Sequence, residues 1–584
     1  MNSKFFCGRF AVYHRWILLS PVLFFHLFFN ASPAQNIEFK KSNFKDRPEE
    51  FKKADGDLTK GRTLYQQLNY EEALEYLIKA NDFNPDNADL NYMIGDAYLN
   101  TPSKAKSIIY FEKALRLDTA VRADIRFLCA TAWQLNLQFD KAIKEYSKYR
   151  KKFTPGSKEL PAVDKRIYEC NSGKELLKDT LHVKIENLGT VVNSAYTDYA
   201  SAISADESVL FFTSRRKGST GNIFHPFLGE YMEDIYISYY KDSAWTEPGN
   251  LGEPVNSNRH DAIAGLSFDG QRLYVYRDNI KGRGDIFQSI LEGDRWTMPM
   301  MLPEPINFEE SHESSACLDY DNKTLYFVSD RETTGALGGR DIYYCEWDAK
   351  KKMWGPVKNL GKEINTPYDE ETPFIHPDGK TLYFSSKGHN SMGGYDIFKT
   401  TKKGRSWNKP KNIGHPINTP DDDIFFVVSA SGKHAYYSSA KIGGSGKRDL
   451  YRISFIQPPS EPYQPELTLV KGFICDEETK LPIGAKIEIT DNQKNEMIFA
   501  TDANSSTGKY LVSLPSGKNY GIAVTAEGYL FHSENFDIPV AWKYQEIEKN
   551  ICLKKIKVGE KIVLKNIFYD FDMATLRPES AAEL

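Results

Sequence analysis

Cysteine is scarce, with seven in 584 residues. None forms a CxxC pair and no histidine stands at a zinc-ligand spacing, which argues against zinc-ribbon and thioredoxin-type chemistry. A surplus of positive charge is missing too. Lys and Arg total 75 against 79 Asp and Glu, a net charge of -4, so no basic face for nucleic acid is expected. After residue 29 no apolar run is long enough to span a bilayer. The sequence has no GxSxG elbow, no HExxH and no Lys-Ser/Thr closing a glycine-rich loop at a helix start. Eleven histidines are present, among them His260, His312, His376, His389, His415 and His434, but these six share no single position of the repeat described next. His376 lies in a Pro-Asp-Gly turn, where solvent exposure is the expectation. Catalytic residues, a cofactor and a metal are therefore not expected.

What is present is repetition. One phrase, Asp followed by an aliphatic residue and an aromatic, recurs at Asp234, Asp285, Asp341, Asp396 and Asp449, in steps of 51, 56, 55 and 53 residues. A fixed period of this size marks a stacked or circular repeat fold. Ahead of the Asp, four of the units carry a turn such as Ser267–Gly270 or Ile375–Gly379, and all five carry an alternating apolar run such as Val209–Ser214 or Thr381–Ser386. Turn residues followed by a period of two read as hairpins and half-buried strands. Trp245, Trp296, Trp354 and Trp407, each with a nearby Pro, close units, and NLG or NIG phrases such as those at Asn359 and Asn412 open the next. About fifty residues holding about four short strands make one propeller blade. Five units predict five blades, or six if the longer units hide another. The pattern resembles the TolB-like propeller repeat of cell-envelope proteins and covers residues 180–457. The repeated Asp is expected to accept backbone N–H bonds in a tight turn. Carboxylates also cluster after NTP, at Asp369-Glu370-Glu371 and Asp421-Asp422-Asp423, with Asp198 and Asp261 near the matching point. They read as strand starts with a solvated charge run, or as a calcium site or acidic rim near the central channel.

The chain is too long for one core and predicts three or four domains. Lys4, Arg9 and Arg15 precede the apolar run Trp16–Phe29 and the small residues Ala31–Ala34. This order reads as a secretory signal over 1–34. Residues 36 to about 55 read as a polar leader. A helical period then follows to 178, with small residues at Ala73, Ala105 and Ala142. It resembles the tetratricopeptide repeat, more closely in its first and third units than in its second, with Arg166–Leu177 as a solvating cap helix. Such α-solenoids usually present a concave protein-binding face.

Four prolines between Ile456 and Glu466 make a stiff linker over 458–466. Residues 467–555 carry a T-x-x-G-x-Y…L-P-x-G-x-x-Y frame that resembles the carboxypeptidase regulatory-like module, a small β-sandwich. Cys475 and Cys552 fall near its first and last strands and could pair, although buried free thiols are the expected state of all six cysteines after Cys7. Residues 559–584, with Phe568-Tyr-Asp-Phe-Asp572, resemble the start of an α/β OmpA-like peptidoglycan-binding domain; that family's ligand-binding Asp and Arg lie beyond Leu584. The whole order resembles PorE-type OmpA-family envelope proteins, associated with type IX secretion and gliding. The resemblance implies a non-enzymatic periplasmic scaffold at the outer membrane. Envelope proteins are its implied partners, and peptidoglycan is a partner once the last domain is complete. The alternative is a propeller that binds or hydrolyses envelope glycans.

Overall fold

The computed structural model describes residues 35–456 apart from 227, 280–282, 334 and 442–443, and residues 467–557 apart from 541–543; past 557 it describes isolated positions only. The signal-type segment 1–34, the Pro-rich linker and nearly all of the OmpA-like stretch lie outside the described residues.

Seven helices form the N-terminal region: α1 (Pro48–Gln66), α2 (Tyr70–Phe83), α3 (Ala88–Leu99), α4 (Ser107–Leu117), α5 (Ile125–Leu135), α6 (Phe139–Arg150) and α7 (Leu160–Leu176). They pack as three antiparallel pairs with α7 against α6. Close approach within a pair needs a missing side chain. A Cβ on Gly95 would lie 2.9 Å from the ring of Phe111, and one on Gly61 2.8 Å from Leu77. The small residue of the second unit is not Ala105, which precedes α4, but the fully buried Ser107. Counted through Ser107 the steps become 34 and 35 residues, so the second unit is more regular than its sequence suggested. The leader is not merely polar: Phe39, Phe44 and Phe51 pack with Phe83, and Arg47 lies 4.7 Å over the Phe83 ring. The last helix, α7, buries Val163, Glu169, Cys170 and Gly173 and leaves much of its other face exposed.

Residues 183–456 form five antiparallel sheets of four or five strands and one two-stranded sheet, Phe224–His225 with Glu230–Tyr231. The innermost strands of the five are Asp198–Ile203, Asp261–Leu266, Glu313–Leu318, Glu370–Ile375 and Ile424–Val428. Each pairs outward with a second strand and then with a third strand that begins at or beside a repeated Asp. The innermost strands touch in cyclic order, with the fifth against the first. The ring closes through its ends: Val183–Asn187, first in sequence, pairs antiparallel with Asp449–Phe455, the third strand of the fifth sheet. Chain start and chain end thus share one sheet, so the ring cannot open without breaking a strand pair. No sixth sheet of this kind occurs among the described residues.

Residues 467–557 form two four-stranded sheets packed face to face. Strand Leu467–Asp476 pairs in parallel with Ile551–Leu553, which sets Cys475 directly opposite Cys552. These two cysteines are bonded as a disulfide, so free thiols describe only Cys129, Cys170, Cys317 and Cys345, all buried. The register that brings two distant strands together was not visible in the spacing of 77 residues.

Candidate functional site: the two mouths of the ring

The repeated Asp residues lie inside turns between the second and third strands. Asp341 accepts from the backbone N–H of Leu337 and Gly338 and from Asn359 Nδ2 at 2.8 Å. Asp396 accepts from Met392 N and Asn412 Nδ2, Asp234 from Thr220 N and Asn250 Nδ2, and Asp449 from Ser445 N and Asn187 Nδ2. These asparagines are the Asn of the NLG and NIG phrases. The second sheet has Met301 in that place, and its Asp285 keeps only the bond from Asn279 among those described.

A second asparagine went unnoticed in the sequence. Asn193, Asn256, Asn307, Asn365 and Asn418 each accept from the N–H, and donate to the C=O, of the residue after a repeated Asp. Its signal was there, in a Val-Asn or Ile-Asn pair repeated once per unit. One amide side chain thus stands in for a missing strand partner, satisfying two buried backbone groups at once.

The acidic residues do not form an open rim. Glu370 and Asp423 are 0% and 1% exposed and belong to a ring of five buried carboxylates at or beside the start of the innermost strands, with Asp198, Asp261 and Glu313. Glu313 was missed in the sequence because it follows Ser-His rather than Asn-Thr-Pro. Glu371 is buried and paired with Arg340, and Asp369 is paired with Lys387 at 2.8 Å. Asp421 pairs with Lys104 at 2.6 Å, and Asp422 accepts from Tyr395 N. No cluster of three metal-ligating side chains occurs among the described residues.

Three guanidinium groups serve the ring: Arg216 on Asp198, Arg277 on Asp261 and Arg331 on Glu313. Glu370 has none. It accepts from Thr366 N, Thr366 Oγ1 and Ser386 Oγ instead, and burial pushes it up to about 8 against those bonds. Burial also raises Glu313, with Ser311, Ser329 and Arg331 opposing.

The mouth bearing these carboxylates lies under the helices. Lys104 reaches Asp421, Gln134 Nε2 donates to Met392 O at 2.9 Å, Lys165 stands 4.7 Å over the Tyr368 ring, and Glu71 pairs with Lys447 at 3.2 Å. The opposite mouth meets the sandwich. The five tips of the inner hairpins are Ala205, Phe268, Tyr320, Pro377 and Ala430. Ala205, Phe268 and Ala430 join the sandwich's own apolar core, Tyr320 packs against it, and Pro377 O accepts from Ser513 Oγ at 2.7 Å. His376 is buried here rather than exposed, its Nε2 3.1 Å from Ser429 O of the next tip. Between the mouths runs a channel lined by residues such as Ala202, Ile263, Ala264, Ala316 and Phe426, with about 50 Å³ of open space. A water needs roughly 10–15 Å³ by this measure, so this space is of the order of a few waters.

The family model described as tetratricopeptide repeat matches residues 88–120, which is the α3–α4 pair, the unit whose sequence looked least regular. No curated protein matches the chain. Among solved structures, TolB from Acinetobacter baumannii is similar at 14% identity and a TM-score of 0.30, over 52% of this chain and 71% of that one. An alpha-L-arabinofuranosidase from Lactobacillus brevis is similar at 15% identity and 0.31, over 47% and 93%. Hydroxyquinol 1,2-dioxygenase from Pseudomonas putida DLL-E4 is similar at 10% identity and 0.12, over 15% and 57%. Scores at this level add no argument. The ring is established by its strand order, and the chain joins a helical region containing a tetratricopeptide repeat to a large β-rich region.

Proposed function

We propose that the chain is a non-enzymatic scaffold of the cell envelope, and that its five sheets are the blades of a propeller used as a platform. Exported by its N-terminal signal, it would sit in the periplasm at the outer membrane. Its helical repeats and propeller would hold proteins of a secretion or gliding machine, and its OmpA-like end would hold peptidoglycan. One observation carries the reading. Both mouths of the ring, where a propeller enzyme would admit its substrate, are taken by the chain's own modules, and the channel between them is narrow and apolar. The tetratricopeptide helices stand on the ring by their turns and ends, which leaves helix faces available to a partner. In vivo photo-crosslinking of the full chain, with the probe on exposed α1 and α2 positions, tests this reading. Discrete adducts with envelope proteins are expected. Adducts absent at every helical position, together with heat on titrating envelope glycans, would replace the scaffold with a glycan-binding propeller.

A further inference from the structure

The ring of buried carboxylates is not uniform, and its departures coincide with the place where the helices sit. Three innermost-strand carboxylates neighbour the repeated Asp of the preceding sheet: Asp261 neighbours Asp234, Glu370 neighbours Asp341 and Asp423 neighbours Asp396. Two carboxylates in one water-poor site cannot both ionise cheaply unless a cation joins them. Arg216, Arg277 and Arg331 supply that cation at three junctions. At the fourth, Gly388 takes the place of Arg331 and no side chain fits, since a Cβ would lie 2.2 Å from Thr366 Oγ1. At the fifth, Lys441 takes that place. Its amine lies over the rings of Tyr437 and Tyr451, at 5.5 and 5.8 Å, and makes no ion pair with Asp423 among the described residues.

The fifth junction is therefore incomplete. Asp423 uses Oδ2 for Thr419 N and Oγ1, and Asp396 uses Oδ2 for Met392 N and Asn412 Nδ2. The Oδ1 atoms of both are buried without a partner, and so is the hydroxyl of Tyr437, on which the charge of Asp423 acts. A group that hydrogen-bonds is missing here.

We infer that this junction binds a proton shared by Asp396 and Asp423, and that the bound proton holds the helical repeats on the ring. The link to the helices is direct. Met392 N donates to Asp396, and Met392 O accepts from Gln134 of α5, which also bonds Glu169 of α7 and accepts from Tyr146 of α6. Losing the proton leaves two neighbouring buried carboxylates both charged. Asp396 then withdraws, the Met392 backbone follows, and the Gln134 bond breaks. The surrounding charges do not rescue the pair. Glu169 adds a negative charge, already engaged by Lys165 and Arg166; Asp421 is engaged by Lys104; Asp422 accepts from Tyr395 N. Lys441 is the near cation, and burial weakens its hold on its own proton. Burial raises Asp423, and burial followed by the Asp423 charge raises Asp396. A carboxyl raised in the folded state lends stability in acid and withdraws it as pH rises through its folded value. The helical contact is therefore firm in acid and loosens towards alkali.

Amide hydrogen exchange on the full chain at pH 6 and 9, corrected for the intrinsic pH dependence of exchange, tests this. In the wild type, amides of 388–396 and of α5 should exchange at least fivefold faster at pH 9, while Ser311–Glu313 at the Arg331 junction hold steady. Asp423→Asn, which mimics the protonated group, should remove the response. Lys441→Arg, which restores the guanidinium of the other junctions, should remove it too and decides the matter if the first variant does not fold. A wild type protected throughout, or variants that loosen as much as the wild type, would overturn the inference.

Discussion

The two mouths of the ring are closed by opposite chemistry. At the sandwich end the contact is apolar: hairpin tips of all five sheets meet one module, three of them inside its core, with the rings of Phe268 and Phe499 6.1 Å apart. At the helical end the contact is made of Lys104, Gln134, Lys165 and Lys447 with their partners, several of them part-exposed. Apolar burial contributes about 25 cal/mol per Å² and has no charge to screen or titrate, whereas exposed ion pairs give about 0–1 kcal/mol and are screened. The difference teaches that the ring and the sandwich behave as one body, and that the helical region is held in a way that conditions can change.

The sharpest way to break this contrast is at the apolar mouth. Phe268→Ala removes a buried ring shared by two modules and should cost about 3 kcal/mol, lowering the melting of ring and sandwich together in calorimetry. Separate melting of the sandwich in that variant would show that one tip was holding it. Next comes Asn418→Ala, which strands the N–H and C=O of Ile397; leaving such groups unpaired costs about 1–3 kcal/mol. Urea unfolding followed by tryptophan fluorescence measures it, and an effect below 0.5 kcal/mol would mean that the paired asparagine is not structural.

How much of this was legible follows the same division. The period around Asp234 to Asp449 displayed the ring because each strand repeats a local pattern, and the NLG asparagines were visible in the same way. The carboxylate ring was half visible: Asp369–Glu371 and Asp421–Asp423 stood out as charge runs, yet one member of each run is fully buried, which depends on a neighbouring sheet no local pattern encodes. The disulfide between Cys475 and Cys552, the burial of His376 and the use of Ser107 as the small residue of the second repeat were decided by register and packing. The docking of Gln134 on Met392 joins residues 258 apart in sequence, and no periodicity announces it.

Smaller effects sharpen the polar mouth. Glu370 is raised to about 8 from an ordinary value near 4.3, so it lends stability below that ordinary value and loses it as pH climbs through about 8. Melting of the ring should fall by several degrees between pH 6 and 9, and Glu370→Gln should flatten part of that slope; an unchanged slope would remove Glu370 from the account. The smallest change expected is Lys104→Ala. Its pair with Asp421 is about one-third exposed on each side, so less than about 1 kcal/mol should be lost, and the loss should vanish in 0.5 M salt by the same calorimetry.

The central claim is that ring and sandwich form one sealed platform on which the helices are separately mounted. Differential scanning calorimetry of the full chain at pH 8 tests it most directly, with far-UV circular dichroism reporting the helices. The account predicts two transitions, the helical region first and the ring with the sandwich together in the second. A sandwich that melts on its own ahead of the ring, or helices that melt only with the ring, would contradict it.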